Sequence, residues 1–156
     1  MKVKEVMKTD VSFCSTEDSL MKCAETMLRL DCGVVPIVDN EGRVVGMLTD
    51  RDLCLAIVAR NRKASDVKTK DLIRGEVIFC AANDKIETAL RKLRRNQIKR
   101  IVVVGENERF IGIVSVSDIL LGVRKDKKLK KKIYATLKAV AKPCPIVLRE
   151  ISVTEK

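Results

Sequence analysis

The chain has 156 residues, of which 46% are hydrophobic and 34% are charged, with 32 Lys and Arg against 21 Asp and Glu. This length is enough for one packed domain or for two small repeats that share a core. No apolar run approaches the roughly 20 residues of a membrane span, and the first ten residues lack a signal peptide's apolar stretch. The sequence therefore predicts a cytoplasmic protein without a membrane span.

Histidine is absent from the sequence, and six cysteines lie at positions 14, 23, 32, 54, 80 and 144 without a C-x-x-C pair. The lack of histidine excludes His-dependent triads and most zinc sites. In a cytoplasmic chain, cysteines at this spacing are predicted to be reduced, buried and small hydrophobic side chains. Neither a disulfide framework nor a bound metal is expected.

The chain repeats itself without a gap when residues 4–55 are aligned with residues 70–121, an offset of 66 positions. The identical pairs include Cys14 with Cys80 and Gly46 with Gly112, and most other pairs match one apolar residue with another. Such self-similarity indicates one structural unit used twice.

Each copy is predicted to begin with a strand, Val11–Cys14 in the first and Val77–Cys80 in the second. A helix follows, with Thr16 or Asp18 as its cap in the first copy. Apolar residues at helical spacing define its buried face. The predicted faces are Leu20, Cys23, Ala24 and Met27 in copy one and Ile86, Ala89, Leu90 and Leu93 in copy two.

Two β-rich runs come next in each copy, "VVPIVD" with "RVVGMLT" and "RIVVVG" with "RFIGIVS", each pair separated by a polar turn. A final helix is predicted to begin at Asp52 in copy one and at Asp118 in copy two. Its apolar face comprises Leu53, Ala56 and Ile57 in copy one and Ile119 and Leu120 in copy two. The order β-α-β-β-α, used twice, predicts a mixed α/β (α+β) fold.

These motifs resemble the CBS domain, which is named after cystathionine β-synthase and occurs in tandem pairs called Bateman modules. The resemblance rests on "VKEVM", "TKDLI", "VVPIVD", "KRIVVVG", "GMLTDRDL" and "GIVSVSDIL". It covers nearly all of residues 1–122, and the second copy is particularly similar to the repeats of the γ subunit of AMP-activated protein kinase. It implies CBS repeats over residues 1–62 and 63–122, packed as a pseudo-two-fold pair that joins a second copy of the chain into a homodimer.

In this family the hydroxyl and the aspartate after the second long strand commonly hold the ribose of an adenosine nucleotide. The matching residues are Thr49 and Asp52 in copy one and Ser115 and Asp118 in copy two, with Ser117 as a further hydroxyl. A carboxylate accepts hydrogen bonds from two vicinal hydroxyls, and a Ser or Thr hydroxyl both donates and accepts. The alternative is that these aspartates are helix caps without a ligand.

Family members often place a basic pair before the middle strand, where it meets nucleotide phosphates. Lys99 and Arg100 match this pair in copy two, whereas Gly33 and Val34 occupy the same positions in copy one. Phosphate binding is therefore predicted only in copy two. Arg51 is either a substitute in copy one or a solvated surface residue.

The resemblance also implies where adenine contacts the protein. The family's proline is Pro36 in copy one, and Val102 replaces it in copy two. The backbones of Val35 and Ile101 are expected to offer hydrogen bonds to the base. Further candidates for the base pocket are Phe13 and Phe79, which are equally consistent with core aromatics.

Residues 123–156 form a basic tail, because residues 121–156 hold 11 basic and 3 acidic groups. Leu129, Ile133, Leu137 and Val140 are spaced as one helix face, and Pro143 is expected to end that helix together with Pro145. A short strand, "IVLREISV", is predicted beyond the prolines. The apolar face either docks on the module or on a second subunit, or the lysines bind nucleic acid or an anionic membrane surface.

The resemblance implies a regulatory module. The sequence predicts that it is non-catalytic, since it contains no histidine, no Walker-type loop, no nucleophile elbow and no paired acid and base. AMP, ADP, ATP and S-adenosylmethionine are the predicted ligands, and no cofactor is required. The alternatives are a nucleic-acid-binding module that uses the tail, and a pure protein-interaction module for an unknown regulated protein.

Overall fold

Over residues 1–73, 75–123 and 126–142, which the computed structural model describes, the chain folds into two three-stranded sheets and five α-helices. The elements of the first half are β1 (Cys14–Ser15), α1 (Leu20–Arg29), β2 (Val34–Val38), β3 (Val44–Thr49) and α2 (Asp50–Arg60). The second half contains β4 (Phe79–Ala81), α3 (Ile86–Arg95), β5 (Arg100–Val104), β6 (Phe110–Ser115), α4 (Val116–Gly122) and α5 (Lys127–Val140). The predicted β-α-β-β-α order and the mixed α+β class are confirmed.

The two sheets have the same topology. In each, the first strand is parallel to the second, and the second is antiparallel to the third. Even the register irregularity recurs, between Ile37 and Val38 in one sheet and between Val103 and Val104 in the other. The offset of 66 seen in the sequence is therefore kept residue by residue in the structure.

The predicted first strands, Val11–Cys14 and Val77–Cys80, are wrong at their beginnings, since β1 starts at Cys14 and β4 starts at Phe79. The preceding residues are apolar, but the chain reaches the sheet from the other repeat. Lys8 forms a bridge with Ile113 of β6. The chain passes from β6 of the second repeat to the first sheet between Lys8 and Cys14, and only there does β1 pair in parallel with β2.

The cap and the buried face of α1 also differ from the prediction. Ser19 caps the helix by accepting a hydrogen bond from the Lys22 N–H at 3.2 Å, whereas Asp18 accepts from the Ser15 N–H at 2.8 Å. Ala24 is exposed, and Thr26 is buried in its place because its hydroxyl donates to the Lys22 carbonyl at 2.9 Å. In α3, by contrast, the whole predicted face is buried.

Two hydrophobic cores, one for each sheet, are completed by exchanged segments. Val3 is fully buried in the core of the second repeat, and its N–H donates to the Asp84 carbonyl at 3.0 Å. Leu72 and Ile73 pack in return against the core of the first repeat. The stretches predicted as repeats, 1–62 and 63–122, are thus interlocked in space by the segments that precede their first strands.

The recurring glycines of the sequence lie where these exchanged segments cross the third strands. A Cβ added at Gly112 would collide with the backbone carbonyl of Lys8, and one at Gly46 would lie 2.9 Å from the Ile73 side chain. A backbone atom that is already hydrogen-bonded cannot move aside as a side-chain end can. Gly112 is therefore required by close approach rather than by its backbone angles.

Gly112→Ala is expected to destabilise the fold by about 1–3 kcal/mol, because the residue 1–8 segment must shift to admit the methyl group. Urea denaturation followed by circular dichroism measures the change. Gly42→Ala is the wrong control, since Gly42 has a positive φ of 78°; Gly105→Ala, which meets only the Ile111 side chain, is the matched one. Equal midpoints for the Gly112 and Gly105 variants would contradict the crossing.

The apolar faces predicted for the helices that follow the third strands are mostly buried within the chain. Leu53, Ala56 and Ile119 are buried in the two cores, because α2 and α4 pack against their own sheets. Leu120 of the predicted faces is exposed, and the other exposed large apolar residues on the helices of the two repeats are Met21, Leu28, Leu55, Val58 and Leu121. The predicted homodimer stays a prediction, with these exposed residues available for it.

The basic tail docks its apolar stripe on the second repeat. Helix α5 packs on α3 and α4, and Leu129 and Ile133 are buried in the second core. Asp126 caps the helix by accepting a hydrogen bond from the Leu129 N–H at 2.9 Å. Pro143, Pro145, Cys144 and the predicted "IVLREISV" strand lie outside the described residues.

The described cysteines, at positions 14, 23, 32, 54 and 80, are free thiols. Cys14, Cys23 and Cys80 are buried as predicted, and burial raises the pKa of Cys80 to about 12. A hydrogen bond with the Cys23 thiol lowers the pKa of Cys14 to about 7. Cys54 is exposed on α2, so the expectation of burial is wrong for this residue.

Candidate functional site

Two clefts lie where the repeats meet. One is at the N-terminus of α2 and the other is at the N-terminus of α4, the helices that follow the third strand of each sheet. The Asp118 cleft has a volume of about 730 Å³ and is lined by Ser115, Ser117 and Asp118 with parts of the first repeat and α5. The Asp52 cleft has a volume of about 480 Å³ and is lined by Thr49 and Asp52 with parts of the second repeat. Each cleft is large enough for a small-molecule ligand.

The predicted hydroxyls and aspartates form a capping box in each cleft. Ser115 is the N-cap of α4, and the Ser115 N–H and hydroxyl both donate to Asp118 Oδ2. Thr49 and Asp52 make the same bonds, at 2.9 and 2.7 Å. The predicted helix starts at Asp52 and Asp118 are therefore wrong, because the hydroxyls cap the helices and each aspartate is the third helical residue.

The capping box of α4 uses Oδ2 of Asp118 and leaves Oδ1 directed to a different partner. Lys8 Nζ lies 3.4 Å from Asp118 Oδ1, and the Asp118 side chain is 13% exposed whereas Lys8 is largely solvated. The Asp118 carboxylate is thus held at the cleft wall by its own helix. Lys8 was not predicted as a site residue, and no local pattern in the sequence points to it.

The basic pair, Lys99 and Arg100, lies between the clefts and lines both of them. Its position follows from the sheet, since Arg100 pairs with Ser115 in the β5–β6 register and the Val116 N–H donates to the Lys99 carbonyl at 3.1 Å. The pair belongs to copy two in sequence, but its side chains line both clefts. Phosphate binding in copy two only stays a prediction.

Several residues predicted to contact adenine, and Arg51, predicted as a possible substitute for the basic pair, lie outside the described lining of the clefts. Val35, Pro36 and Ile101 are buried within β2 and β5 and are not among the described residues that line the clefts. Arg51 is exposed on α2 and is likewise outside the described lining. Val34, one residue earlier than predicted, lines both clefts.

The two predicted phenylalanines pack against other side chains. The Phe13 ring meets the Phe110 ring edge-on, with centroids 5.9 Å apart. Lys92 Nζ lies 5.6 Å from the Phe79 ring centroid and donates to the Phe79 carbonyl at 2.6 Å. Neither ring is among the described lining of the clefts. The alternative of a core aromatic is wrong for Phe13, which is 55% exposed, and Phe79 is half-buried.

Residues that the sequence did not indicate complete the Asp118 cleft. Val11 and Ser12 line it from the first repeat, and Leu137, Val140 and Ala141 line it from the last turn of α5. The helical spacing of Leu137 and Val140 was visible in the sequence, but it predicted packing rather than a position in a cleft.

Among the described residues, no helix combines the length and apolar character that crossing a bilayer requires. Within the same part of the chain, no three Cys, Asp or Glu side chains come together as a metal site would require.

The sequence of this chain is similar to that of several proteins from bacteria and archaea. It is 35% identical over 120 residues to inosine-5'-monophosphate dehydrogenase of Methanocaldococcus jannaschii, which covers 76% of this chain but only 23% of that protein. It is 29% identical over 116 residues to hypoxic response protein 1 of Mycobacterium tuberculosis, covering 74% of this chain and 80% of the relative.

Solved structures share the fold along most of their length. Hypoxic Response Protein I with two coordinated zinc ions superimposes with a TM-score of 0.73 at 27% identity, over 80% of this chain and 100% of that one. The CBS domain protein PAE2072 from Pyrobaculum aerophilum, complexed with AMP, gives 0.71 at 19% identity, over 86% of this chain and 98% of that one. The CBS domain pair of MJ0100, in complex with 5-methylthioadenosine and S-adenosyl-L-methionine, gives 0.67 at 24% identity, over 78% and 98%.

The family model of the CBS domain matches residues 3–59 and 65–125. The two matches correspond to the two sheets with their helices, and each contains one capping box at a cleft. The chain therefore belongs to the CBS domain family, of which it contains a tandem pair.

Proposed function

We propose that this chain is a non-catalytic regulatory module whose clefts bind an adenosine-containing ligand, namely AMP, ADP, ATP or S-adenosylmethionine. The observation that carries the proposal is the aspartate of each capping box, which its own helix N-terminus holds at a cleft wall beside the shared pair Lys99 and Arg100. A fixed carboxylate next to two cations suits a molecule with a vicinal diol and an anionic group.

The ribose is expected to bind at the carboxylate. Oδ1 of Asp118 lies outside the capping box and can accept hydrogen bonds from the ribose hydroxyls. Lys8 Nζ lies 3.4 Å from this oxygen, and the Lys8 side chain is largely solvated although Asp118 is not. A long ion pair with one solvated partner contributes little stability, so that a ligand can displace Lys8 at small cost. The phosphates would then lie toward Lys99 and Arg100, where charge-assisted hydrogen bonds are available.

The ligand class is supported by the bound molecules of two fold relatives. One CBS domain protein was solved with AMP, and one CBS domain pair with 5-methylthioadenosine and S-adenosyl-L-methionine. All three molecules contain adenosine, the part that the Asp118 carboxylate would recognise.

Thermal unfolding of the nucleotide-stripped protein tests the proposal against AMP, ADP, ATP, S-adenosylmethionine and GTP. A ligand at about 100 times its dissociation constant stabilises the folded state by roughly 2.7 kcal/mol. For a chain of this size that raises Tm by about 5–10 °C. We expect a shift of this order for one adenine ligand and a smaller one for GTP. No shift across the set would contradict the proposal.

A second candidate function is nucleic-acid binding by the α3–α5 face, which we define as the exposed basic residues of these two packed helices. The face comprises Arg91, Arg94, Arg95, Lys127, Lys128, Lys130, Lys131, Lys132 and Lys138. Within the described residues of α3 and α5, the acidic side chain is that of Glu87, and its carboxylate lies 3.5 Å from Lys132 Nζ. Leu129 and Ile133 of the α5 stripe are buried in the second core, which argues against insertion of this part of the helix into a membrane surface.

Arg95 and Arg29 occupy equivalent, exposed positions in the two repeats and provide matched variants. The double variant Arg95→Glu with Lys131→Glu is expected to weaken binding to a labelled oligouridine. It should reduce the magnitude of the negative slope of log K against log salt by about 1.4, or about 0.7 for each lost phosphate contact to a single strand. Arg29→Glu should change neither quantity. Fluorescence anisotropy across a salt series measures both, and salt-independent binding would contradict this function.

The homodimer, the regulated protein partner and the cytoplasmic location stay predictions. The exposed apolar residues Leu28, Leu55, Val58 and Leu121 are available for contact with a second copy or a partner protein.

A further inference from the structure

We propose that the last turn of α5 forms a ligand-contacting wall of the Asp118 cleft. A ligand in this cleft then packs directly on Leu137 and Val140. The inference rests on the proposed function and adds a specificity-determining element to it. It also makes the two clefts of the molecule unequal, because the described lining of the Asp52 cleft contains no residue of α5.

The apolar stripe of α5 has two parts with different surroundings. Leu129 and Ile133 are buried in the second core and account for the docking of the helix. Leu137 is 37% exposed, and together with Val140 and Ala141 it lines the cavity that contains Asp118. The last turn therefore reaches past the core that holds the helix and presents apolar side chains to the cleft.

The position of this turn is set by a contact with the segment that carries the basic pair. Gln97 Nε2 donates to the Ala139 carbonyl at 3.4 Å. Gln97 has a left-handed backbone with φ of 51°, in the turn that leads into Lys99 and Arg100. The last turn of α5, the basic pair and the N-terminus of α4 thus form one continuous wall.

The lining of this cleft combines charged and apolar side chains. Its charged residues are Lys8, Lys99 and Arg100 with Asp10, Asp31 and Asp118. Its large apolar residues include Leu30, Leu121, Leu137 and Val140. A ligand with a flat apolar base or a thioether chain as well as a ribose can contact both kinds of residue, whereas inorganic phosphate or ribose phosphate contacts mainly the charged ones. The cleft is therefore suited to a whole nucleoside derivative.

Isothermal titration calorimetry with AMP, and separately with S-adenosylmethionine, tests the inference on the full chain. Leu137→Ala is expected to weaken binding about fivefold, because apolar surface that covers the ligand is lost. Tyr134→Ala is the control, since Tyr134 is exposed on the same helix and is not among the described lining. Affinity for ribose 5-phosphate should be the same in both variants.

A second pair of variants distinguishes loss of ligand contact from a change in the stability of α5. One of them fills part of the cleft with a larger side chain. Ala141→Trp adds bulk at the cleft wall on an exposed residue, and Lys138→Trp adds the same bulk away from the described lining. We expect Ala141→Trp to lower the affinity at least tenfold and Lys138→Trp to leave it within about twofold, with unchanged circular dichroism.

The outcomes separate this inference from the proposed function. If wild-type protein binds AMP or S-adenosylmethionine, Asp118→Ala weakens binding at least tenfold, and the Leu137 and Ala141 variants bind as wild type, the wall is overturned and the adenosine site stands. If wild-type protein binds neither compound, and neither ADP nor ATP raises its Tm, the proposed function and the wall are overturned together.

Discussion

Asp118→Ala is expected to weaken AMP binding at least tenfold, which corresponds to about 1.4 kcal/mol of binding free energy. The substitution removes Oδ1, the proposed acceptor for the ribose hydroxyls, and breaks the capping box that orients Ser115. Titration calorimetry on wild type and variant measures the change. The Asp118→Asn variant keeps one oxygen acceptor and is expected to lie between the two.

The same substitution has an effect on folding that must be separated from binding. Loss of the capping-box carboxylate costs about 0.5–2 kcal/mol of stability. Asp126→Ala is the matched control, because Asp126 caps α5 and is not among the described lining of the clefts. It should lower stability by a similar amount and leave AMP affinity unchanged. Full affinity in a folded Asp118→Ala variant would make Asp118 a cap and nothing more.

Ile133→Ala is expected to lower the free energy of unfolding by about 2–5 kcal/mol, the range observed for truncating a fully buried aliphatic side chain. Ile133 is 1% exposed and packs in the second core with residues of α3 and α4. An effect of this size is expected only if α5 is an integral part of the second repeat. Urea denaturation gives the value from the midpoint, provided that the slope is unchanged.

Tyr134→Ala is the control for Ile133→Ala because the two residues are adjacent on the same helix. Tyr134 is 69% exposed, and its truncation should change stability by no more than about 0.5 kcal/mol. Similar small effects for both variants would mean that α5 does not dock on the second repeat in solution. The basic tail would then be a separate element, and the wall of the Asp118 cleft would lose its support.

Local patterns in the sequence were sufficient for most of the fold. The offset of 66 and the β-α-β-β-α order follow from side-chain periodicity, which reports the burial of one face within a short segment. The face of α3 was predicted fully for this reason. The cap of α1 was not, because all five residues at positions 15–19 carry a hydroxyl or carboxyl group and only their final geometry selects Ser19.

The candidate site was predicted in its local part. The hydroxyl and the aspartate three residues later recur in both repeats, and this spacing is that of a capping box; the signal that Thr49 and Ser115 are the N-caps was therefore already present. The recurrence identified the four residues of the capping boxes because the bonds between them span only three positions.

The sequence by itself determined the repeated unit, its element order and the two hydroxyl–aspartate pairs, since each depends on residues close together in the chain. Tertiary structure alone decided three contacts. Lys8 pairs with Asp118, Lys99 and Arg100 line both clefts, and Leu137 lines the Asp118 cleft. These contacts join residues far apart in sequence, through the exchange of segments between the repeats and the docking of α5. Their energy comes from burying surfaces that belong to different elements, and periodicity within one element carries no record of its partner.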